Sequence, residues 1–160
     1  MDGTLLNDQH ELHPDFFEVY QKLKNQNILF VPASGRQYYS LLHYFDSIRK
    51  DIAFIAENGS YVTYRDELLF SDELDPEKIK NIIQITRQIP DANLVICGVK
   101  NAYVESINDD FKNLFAQFYY QNQLVEDLTT ILDQDTIIKI AIHHPISAEE
   151  YIYPNLKQFD

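Results

Sequence analysis

The sequence has few of the features that disulfide bonding, secretion and flexible linkage require. Cys97 is the only cysteine among 160 residues, so no internal disulfide can form. The chain does not begin with a basic segment followed by an apolar run, which is the pattern of a secretion signal, and a reducing cytoplasm is therefore the expected location. Only four glycines and no low-complexity tract are present, which argues against a flexible linker.

Basic residues are also scarce. Thirteen Lys and Arg stand against 25 Asp and Glu, a formal net charge of -12, which opposes binding to nucleic acid or to an anionic membrane. A small anionic substrate remains possible, because acids also gather where a divalent cation must be held. The longest apolar run, residues 137–142, contains Lys139 and is far shorter than the roughly 20 residues of a membrane span, so the protein is expected to be soluble.

The residues that are abundant predict a packed core, since 45% of the chain is hydrophobic and 13% is aromatic. In the first part, the pattern predicts helix, strand, helix, strand, with the strands at 28–33 and 53–56 buried on both faces. This alternation predicts a parallel sheet whose carboxyl ends form the ligand edge. The helical stripes are Phe16, Val19, Tyr20 and Leu23 after Pro14, and Tyr38, Leu41, Leu42 and Phe45.

A change of pattern predicts a domain boundary between Phe70 and Asp75. Before it, the pair Asn58-Gly59 predicts a hairpin from 53–56 to 61–64. After it come a helix with Asp75 as cap, strands at 94–99 and 103–107, a helix bearing Phe111, and a strand at 137–143. A last helix begins near Ser147, and Pro154 is expected to bend or end it. The prediction is an α/β domain over residues 1–72 and an α+β domain over residues 73–160.

Three segments carry a resemblance to a known family. Residues 1–6, Met-Asp-Gly-Thr-Leu-Leu, open the chain with no strand before them, although an Asp-Gly pair alone is usually an ordinary turn. They resemble the D-x-D-G-T-L-L loop of the haloacid dehalogenase superfamily, with Met1 at x. Residues 31–36 resemble its second motif, a strand ending in Ser or Thr, and residues 55–59 resemble the Glu-Asn-Gly segment of its Cof-type sugar-phosphatase branch. The resemblance implies part of a Rossmann-like core, with an inserted α+β cap that is also incomplete.

The resemblance implies a Mg²⁺-dependent phosphatase acting on a small phosphorylated metabolite through an aspartyl-phosphate. Asp2 matches the acid that protonates the leaving group and activates water, and its main-chain carbonyl would bind Mg²⁺. Thr4 would orient Asp2 or its main chain. Ser34 would donate its hydroxyl to a phosphoryl oxygen, and Gly35 would allow close approach of the backbone.

Two further residues have two interpretations each. Arg36, expected to be an exposed first-turn residue, either contacts the substrate or is an ordinary surface arginine. Asn58 either contacts the substrate or simply fills a left-handed turn position beside Gly59.

The sequence also departs from the family pattern. The nucleophilic aspartate would precede Met1, and a later lysine and acidic pair would follow Asp160, so these 160 residues are expected to be inactive by themselves. Lys139 does not fit the missing lysine and is interpreted as structural. A mutase-like enzyme and a non-catalytic truncated module remain as alternatives, and the sequence does not indicate an oligomeric state.

Other groups of histidine, acidic and aromatic residues are interpreted as structural. His143 and His144 are adjacent on a strand with no third ligand nearby, so solvated histidines are expected. Asp109 and Asp110 are interpreted as acids favoured at a helix start. The aromatic residues Phe115, Phe118, Tyr119 and Tyr120 are assigned to packing.

Overall fold

The computed structural model describes residue 1, residues 3–106 and residues 109–159, and the chain forms two compact units, Met1–Ser71 and Asp72–Asp160. The first unit contains, in chain order, α1 (Phe16–Asn25), α2 (Tyr38–Phe45), a 3₁₀ helix (Asp46–Asp51), β1 (Ala53–Ala56), a 3₁₀ turn (Glu57–Gly59), β2 (Tyr61–Tyr64) and β3 (Glu67–Ser71). The helix and strand types therefore follow the predicted order, except at residues 28–33.

Aromatic rings form the core of the first unit. Phe45 from α2 lies 5.6 Å from Phe16 of α1, 5.5 Å from Phe30 and 6.3 Å from Phe54 of β1, measured between ring centroids. These tilted and edge-on pairs are favourable arrangements for aromatic packing. Both predicted helical stripes contribute to this core, but Val19 of the first stripe is 50% exposed.

The prediction of a fully buried strand at residues 28–33 is wrong in its burial. Ile28 and Leu29 are about half exposed, and only Ala33 pairs with the sheet, in a parallel bridge to Ile55. The parallel direction is thus as predicted. Burial on both faces requires other elements packed against each face of the strand, and the exposure of Ile28 and Leu29 shows that this cover is incomplete among the described residues. No other strand pairs with this segment in the part of the chain that is described.

The predicted hairpin is confirmed, because β1 and β2 are antiparallel and meet at the Glu57–Gly59 turn. The sheet continues antiparallel in the order β1-β2-β3. The turn between β2 and β3 places Arg65 (φ 54°) and Asp66 (φ 68°) in the left-handed region, the combination that a two-residue hairpin turn requires to match strand twist.

The second unit is a four-stranded sheet with helices on both faces. Its strand order is β6-β5-β4-β7, with β4 antiparallel to both neighbours and β5 parallel to β6. Its elements are α3 (Pro76–Thr86), β4 (Asn93–Gly98), β5 (Ala102–Val104), α4 (Asp109–Phe118), β6 (Asn122–Leu124), a 3₁₀ helix (Leu128–Asp133), β7 (Ile137–His143), α5 (Ala148–Tyr151), α6 (Tyr153–Leu156) and a 3₁₀ turn (Lys157–Phe159).

Strand β4 divides the core of the second unit into two clusters. Its residues alternate between faces: Leu94 and Ile96 pack with Ile79 of α3, whereas Val95 packs with Phe111 of α4. Every residue of β4 is buried, and β4 lies between β5 and β7 in the sheet. Ile107, the predicted end of β5, and the side chains of Asp109 and Asp110 lie outside the described residues.

The expectation of solvated histidines is wrong. His144 is 7% exposed, its Nε2 lies 3.2 Å from the Pro90 carbonyl, and its ring stacks on Tyr151 at 4.3 Å. The His143 ring stacks on Phe111 at 5.1 Å. An imidazole offers an apolar face as well as polar atoms, so packing against aromatic rings can bury it.

The end of the chain follows the predicted helix signals. Ser147 Oγ accepts a hydrogen bond from the Glu150 amide at 3.2 Å and begins α5. Pro154 lies in the first turn of the separate α6, so the helix is interrupted between the two. In the part of the chain that is described, none of the helices combines the length and the apolar character needed to cross a bilayer.

Candidate functional site

Ser34 and Gly35 lie at the end of the segment that runs parallel to β1. The Ser34 amide donates to the Ile55 carbonyl at 2.9 Å, which extends the parallel pairing by one bond. Ser34 Oγ accepts a hydrogen bond from the Arg36 amide at 3.2 Å. Because that bond uses a lone pair of the oxygen, the hydroxyl hydrogen can be donated to another acceptor, such as a phosphoryl oxygen.

Asn58 is brought to the same loop from the end of β1. Its amide donates to the Ser34 carbonyl at 3.3 Å. A Cβ atom on Gly35 would overlap Asn58 Oδ1 and would lie 3.3 Å from Asn58 Cγ, so a side chain at position 35 would displace the side chain of Asn58. Asn58 also has φ 60° and ψ 23°, the left-handed turn position of the second interpretation. The turn interpretation of Asn58 is therefore confirmed, and its contact with substrate stays a prediction.

The turn that carries Asn58 has an unusual backbone. Glu57 (φ 52°), Asn58 (φ 60°) and Gly59 (φ 100°) are three consecutive residues in the left-handed region. Such conformations cost on the order of 1 kcal/mol or more for residues other than glycine, and they cluster at functional sites. Glu57 is only 2% exposed, and its amide donates to the Arg36 carbonyl at 3.0 Å. Glu57 belongs to the Glu-Asn-Gly segment, but the sequence does not predict its burial, because glutamate is ordinarily exposed.

The N-terminal loop is organised around one carbonyl. The Met1 carbonyl accepts hydrogen bonds from the amides of Thr4, Leu5 and Leu6, and from the Thr4 hydroxyl at 3.0 Å. Gly3 permits this tight turn with φ 67°. Thr4 is therefore hydrogen-bonded to Met1 through both its amide and its hydroxyl, across position 2 of the chain. Asp2 itself lies outside the described residues, so its distance from Ser34 stays untested.

The structure corrects the expectation that Arg36 is exposed. Arg36 is 5% exposed and precedes α2, which begins at Tyr38. Its Nη2 donates to His10 Nδ1 at 3.1 Å, and its Cζ lies 6.0 Å from the centre of the Tyr44 ring. An arginine can be buried when its guanidinium has such partners. His10 lies in a polar stretch where no periodicity points to it.

A magnesium ion requires about six oxygen ligands in a near-octahedral arrangement. Among the residues that the structure describes, no group of three or more His, Cys, Asp or Glu side chains is arranged to hold a metal ion. Asp2, the residue assigned to magnesium binding, is not among the described residues.

The second unit has a concave site of different character. Its cleft of about 200 Å³ contains Arg87, which donates to both Glu105 and Asp127. The pKa of Asp127 is lowered to about 2, mainly because the Thr129 amide donates to it and also because of Arg87. Since two carboxylates already neutralise Arg87, this cleft attracts a phosphate group poorly. The Ser34 loop is the better candidate for phosphate binding.

Comparison with known proteins identifies the family. The model of the haloacid dehalogenase-like hydrolases matches residues 1–159. A curated relative, 5-amino-6-(5-phospho-D-ribitylamino)uracil phosphatase YbjI of Escherichia coli (strain K12), is 37% identical over 121 residues, which cover 75% of this chain. The matched region spans 45% of that relative, so the chain corresponds to about half of its length.

Solved structures share the fold. A protein from Eubacterium rectale has a TM-score of 0.83 at 26% identity, with 99% of this chain and 61% of that chain covered. The HAD subclass IIB sugar phosphatase BT4131 has a TM-score of 0.76 at 18% identity, covering 98% of this chain and 60% of that chain. Together with the family model and the curated relative, these matches confirm the resemblance to the Cof-type branch. The structures confirm the fold, an α/β core followed by a second, mixed domain.

Proposed function

Because the chain belongs to the haloacid dehalogenase-like hydrolase family, we propose that the protein is a magnesium-dependent phosphatase that hydrolyses small phosphomonoesters, such as sugar phosphates. The observation that carries this proposal is the meeting of Ser34, Gly35 and Asn58 at the ends of two parallel segments. Ligands of α/β sheets bind at this edge. The proposal assigns residues 1–72 to the catalytic core and residues 73–160 to part of the cap.

The proposed chemistry has two steps. An aspartate two positions before Asp2, and therefore before Met1, attacks phosphorus while the bond to the leaving oxygen breaks and Asp2 protonates that oxygen. Asp2 then removes a proton from water, which attacks the aspartyl-phosphate and releases phosphate. Ser34 and the neighbouring amides hold the phosphoryl oxygens, and Thr4 orients the main chain around Asp2.

The substrate proposed is a small phosphorylated metabolite, and the place of action is the cytoplasm. The name of the Escherichia coli relative indicates a phosphorylated sugar alcohol joined to a pyrimidine, so a ribityl phosphate of this type belongs in the test panel beside sugar phosphates. The net charge of -12 makes nucleic acid an unfavourable partner.

The test is an assay of two proteins, these 160 residues and the longest natural chain that contains them, against an aryl phosphate, sugar phosphates and the ribityl phosphate. We expect magnesium-dependent release of phosphate only from a chain with an aspartate two positions before Asp2. Turnover by the 160 residues at a comparable rate would contradict the proposed nucleophile. A chain that has this aspartate but releases no phosphate would indicate a non-catalytic module, and conversion to an isomeric phosphate would indicate a mutase.

Variants of the active chain test the assigned roles. We expect Asp2→Asn to lower kcat by roughly 10²- to 10⁴-fold, because it removes the general acid. Ser34→Ala should lower kcat by roughly 10²-fold or more, because it removes one donor to the developing charge. The exposed residues Ser47 and Asp72 provide matched controls, and Ser47→Ala and Asp72→Asn should leave kcat unchanged.

A further inference from the structure

Residues 6–12 form a small hairpin next to the loop that contains Asp2. Leu6 and Leu12 make an antiparallel bridge, and Leu6 is 2% exposed, so the base of the hairpin is anchored. At its tip, Asn7 Oδ1 accepts hydrogen bonds from the amides of Gln9 and Glu11, at 3.0 and 2.9 Å. We refer to residues 6–12 as the N-terminal hairpin. These internal hydrogen bonds and the bridge between Leu6 and Leu12 hold the hairpin together.

The N-terminal hairpin is hydrogen-bonded to Met1, the residue before Asp2. The amides of Leu5 and Leu6 donate to the Met1 carbonyl at 3.0 and 3.1 Å. A displacement of Leu6 therefore moves the main chain that flanks Asp2. The placement of the hairpin therefore bears on the placement of Met1, the residue that precedes Asp2 in the chain.

The tip of the N-terminal hairpin is held by Arg36. His10 has φ 60°, and its Nδ1 lies 3.1 Å from Arg36 Nη2. Because arginine can only donate, His10 Nδ1 is the acceptor and the ring proton lies on Nε2. Arg36 is at the same time bound through its main chain to Ser34 Oγ and to the Glu57 amide. One buried residue thus links the hairpin to the loop of Ser34.

We propose that Arg36 is a positioning residue that, through His10, fixes the N-terminal hairpin against the Ser34 loop and so sets the position of Asp2 relative to Ser34. The proposal rests on the functions proposed for Asp2 and Ser34. It assigns to the Arg36 side chain no contact with substrate, in contrast to the first interpretation drawn from the sequence.

The test uses a matched pair of variants at His10. His10→Asn places a carbonyl oxygen near the position of Nδ1, and asparagine tolerates φ 60°. His10→Gly also tolerates this φ but has no acceptor. A third variant, Arg36→Met, retains an unbranched side chain and removes the donors. Circular dichroism first establishes that each variant is folded.

Steady-state kinetics on the longest natural chain distinguish positioning from substrate contact. We expect His10→Gly and Arg36→Met each to lower kcat by roughly 10- to 100-fold, as other supporting residues do, with KM changed by less than about threefold. His10→Asn should restore most of kcat, and the double variant should be no worse than either single one. A raised KM in Arg36→Met with unchanged kinetics in His10→Gly would instead show that Arg36 contacts substrate, and the proposal would be wrong.

A second measurement does not depend on turnover. In the 160 residues, the ¹⁵N spectrum of His10 should show the proton on Nε2, and the amides of Gln9 and Glu11 should exchange faster in His10→Gly and Arg36→Met but not in His10→Asn. Unchanged exchange in both variants would refute the link between Arg36 and the hairpin. If no chain turns over substrate but exchange changes as expected, the phosphatase proposal fails and the link itself stands.

Discussion

Gly98 offers the sharpest test of how the second unit is built. An alanine Cβ at this position would overlap Asp135 Oδ2 and would lie 2.6 Å from Cγ and 3.3 Å from Cβ of the same residue. Asp135 Oδ2 accepts hydrogen bonds from the Lys100 amide and from the Tyr103 hydroxyl, both at 2.9 Å. The carboxylate therefore cannot move aside without losing the bonds that hold the turn between β4 and β5.

The cost of Gly98→Ala can be worked out from these contacts. Inserting a methyl group into a packed site typically costs about 1 to 3 kcal/mol, and each hydrogen bond to a charged acceptor contributes about 1.5 to 3 kcal/mol. Since Asp135 is partly exposed, water can hydrogen-bond to the displaced carboxylate and reduce the cost of the lost hydrogen bonds. We expect a decrease of about 2 to 4 kcal/mol in the free energy of unfolding. Backbone strain does not contribute, because φ of Gly98 is outside the left-handed region.

A double-mutant cycle isolates this contact. With Asp135→Ala as background, only the contact between the two Cβ atoms remains, and Gly98→Ala should then cost less than about 1 kcal/mol. Urea unfolding followed by circular dichroism, together with amide exchange along β4, measures both values. A cost of Gly98→Ala that is equal in the two backgrounds would refute the role assigned to Asp135.

Two further predictions concern charge and the candidate site. The pKa of Asp127 is lowered to about 2 from 3.8, so the stabilising contribution of its carboxylate should be complete above about pH 4 and lost as the pH falls through 2. The difference in free energy of unfolding between wild type and Asp127→Asn should therefore shrink over this range. A difference in urea midpoint that stays constant with pH would contradict this prediction. Gly35→Ala should displace the exposed side chain of Asn58 and lower the free energy of unfolding by less than about 1 kcal/mol. An unchanged resonance of the Asn58 side-chain amide would show that residues 35 and 58 are not in contact.

Much of the local structure could be predicted because its causes are local. The helix Pro76–Thr86 follows from the Asp75 cap, whose side chain accepts from the Glu77 amide at 2.9 Å, and from proline in the first turn. Strand Ile137–His143 has the predicted bounds. Strand β6 was missed, since Asn122–Leu124 is exposed and has no alternation; its pairing with β5 depends on a partner 20 residues away.

The candidate site also contains residues that the sequence predicts and residues that it does not. Ser34, Gly35 and Asn58 are predicted because they belong to segments that resemble family motifs, and parallel strands end at a common edge of a sheet. Arg36 and His10 could not be paired from the sequence, because they are 26 positions apart and neither lies in a periodic pattern. The burial of Arg36 depends on acceptor and ring partners that only folding assembles.

The sequence by itself determined the type and order of most helices and strands, because caps, prolines, the Asn-Gly pair and apolar periodicity act within a few residues of backbone. It also determined the family, through three short motifs. Only the tertiary structure decided which apolar residues are covered, as Val31 at 36% exposure and Val104 at 0% show, and which polar residues are buried. Burial is a property of what packs against a residue, and that neighbour is usually distant in the chain.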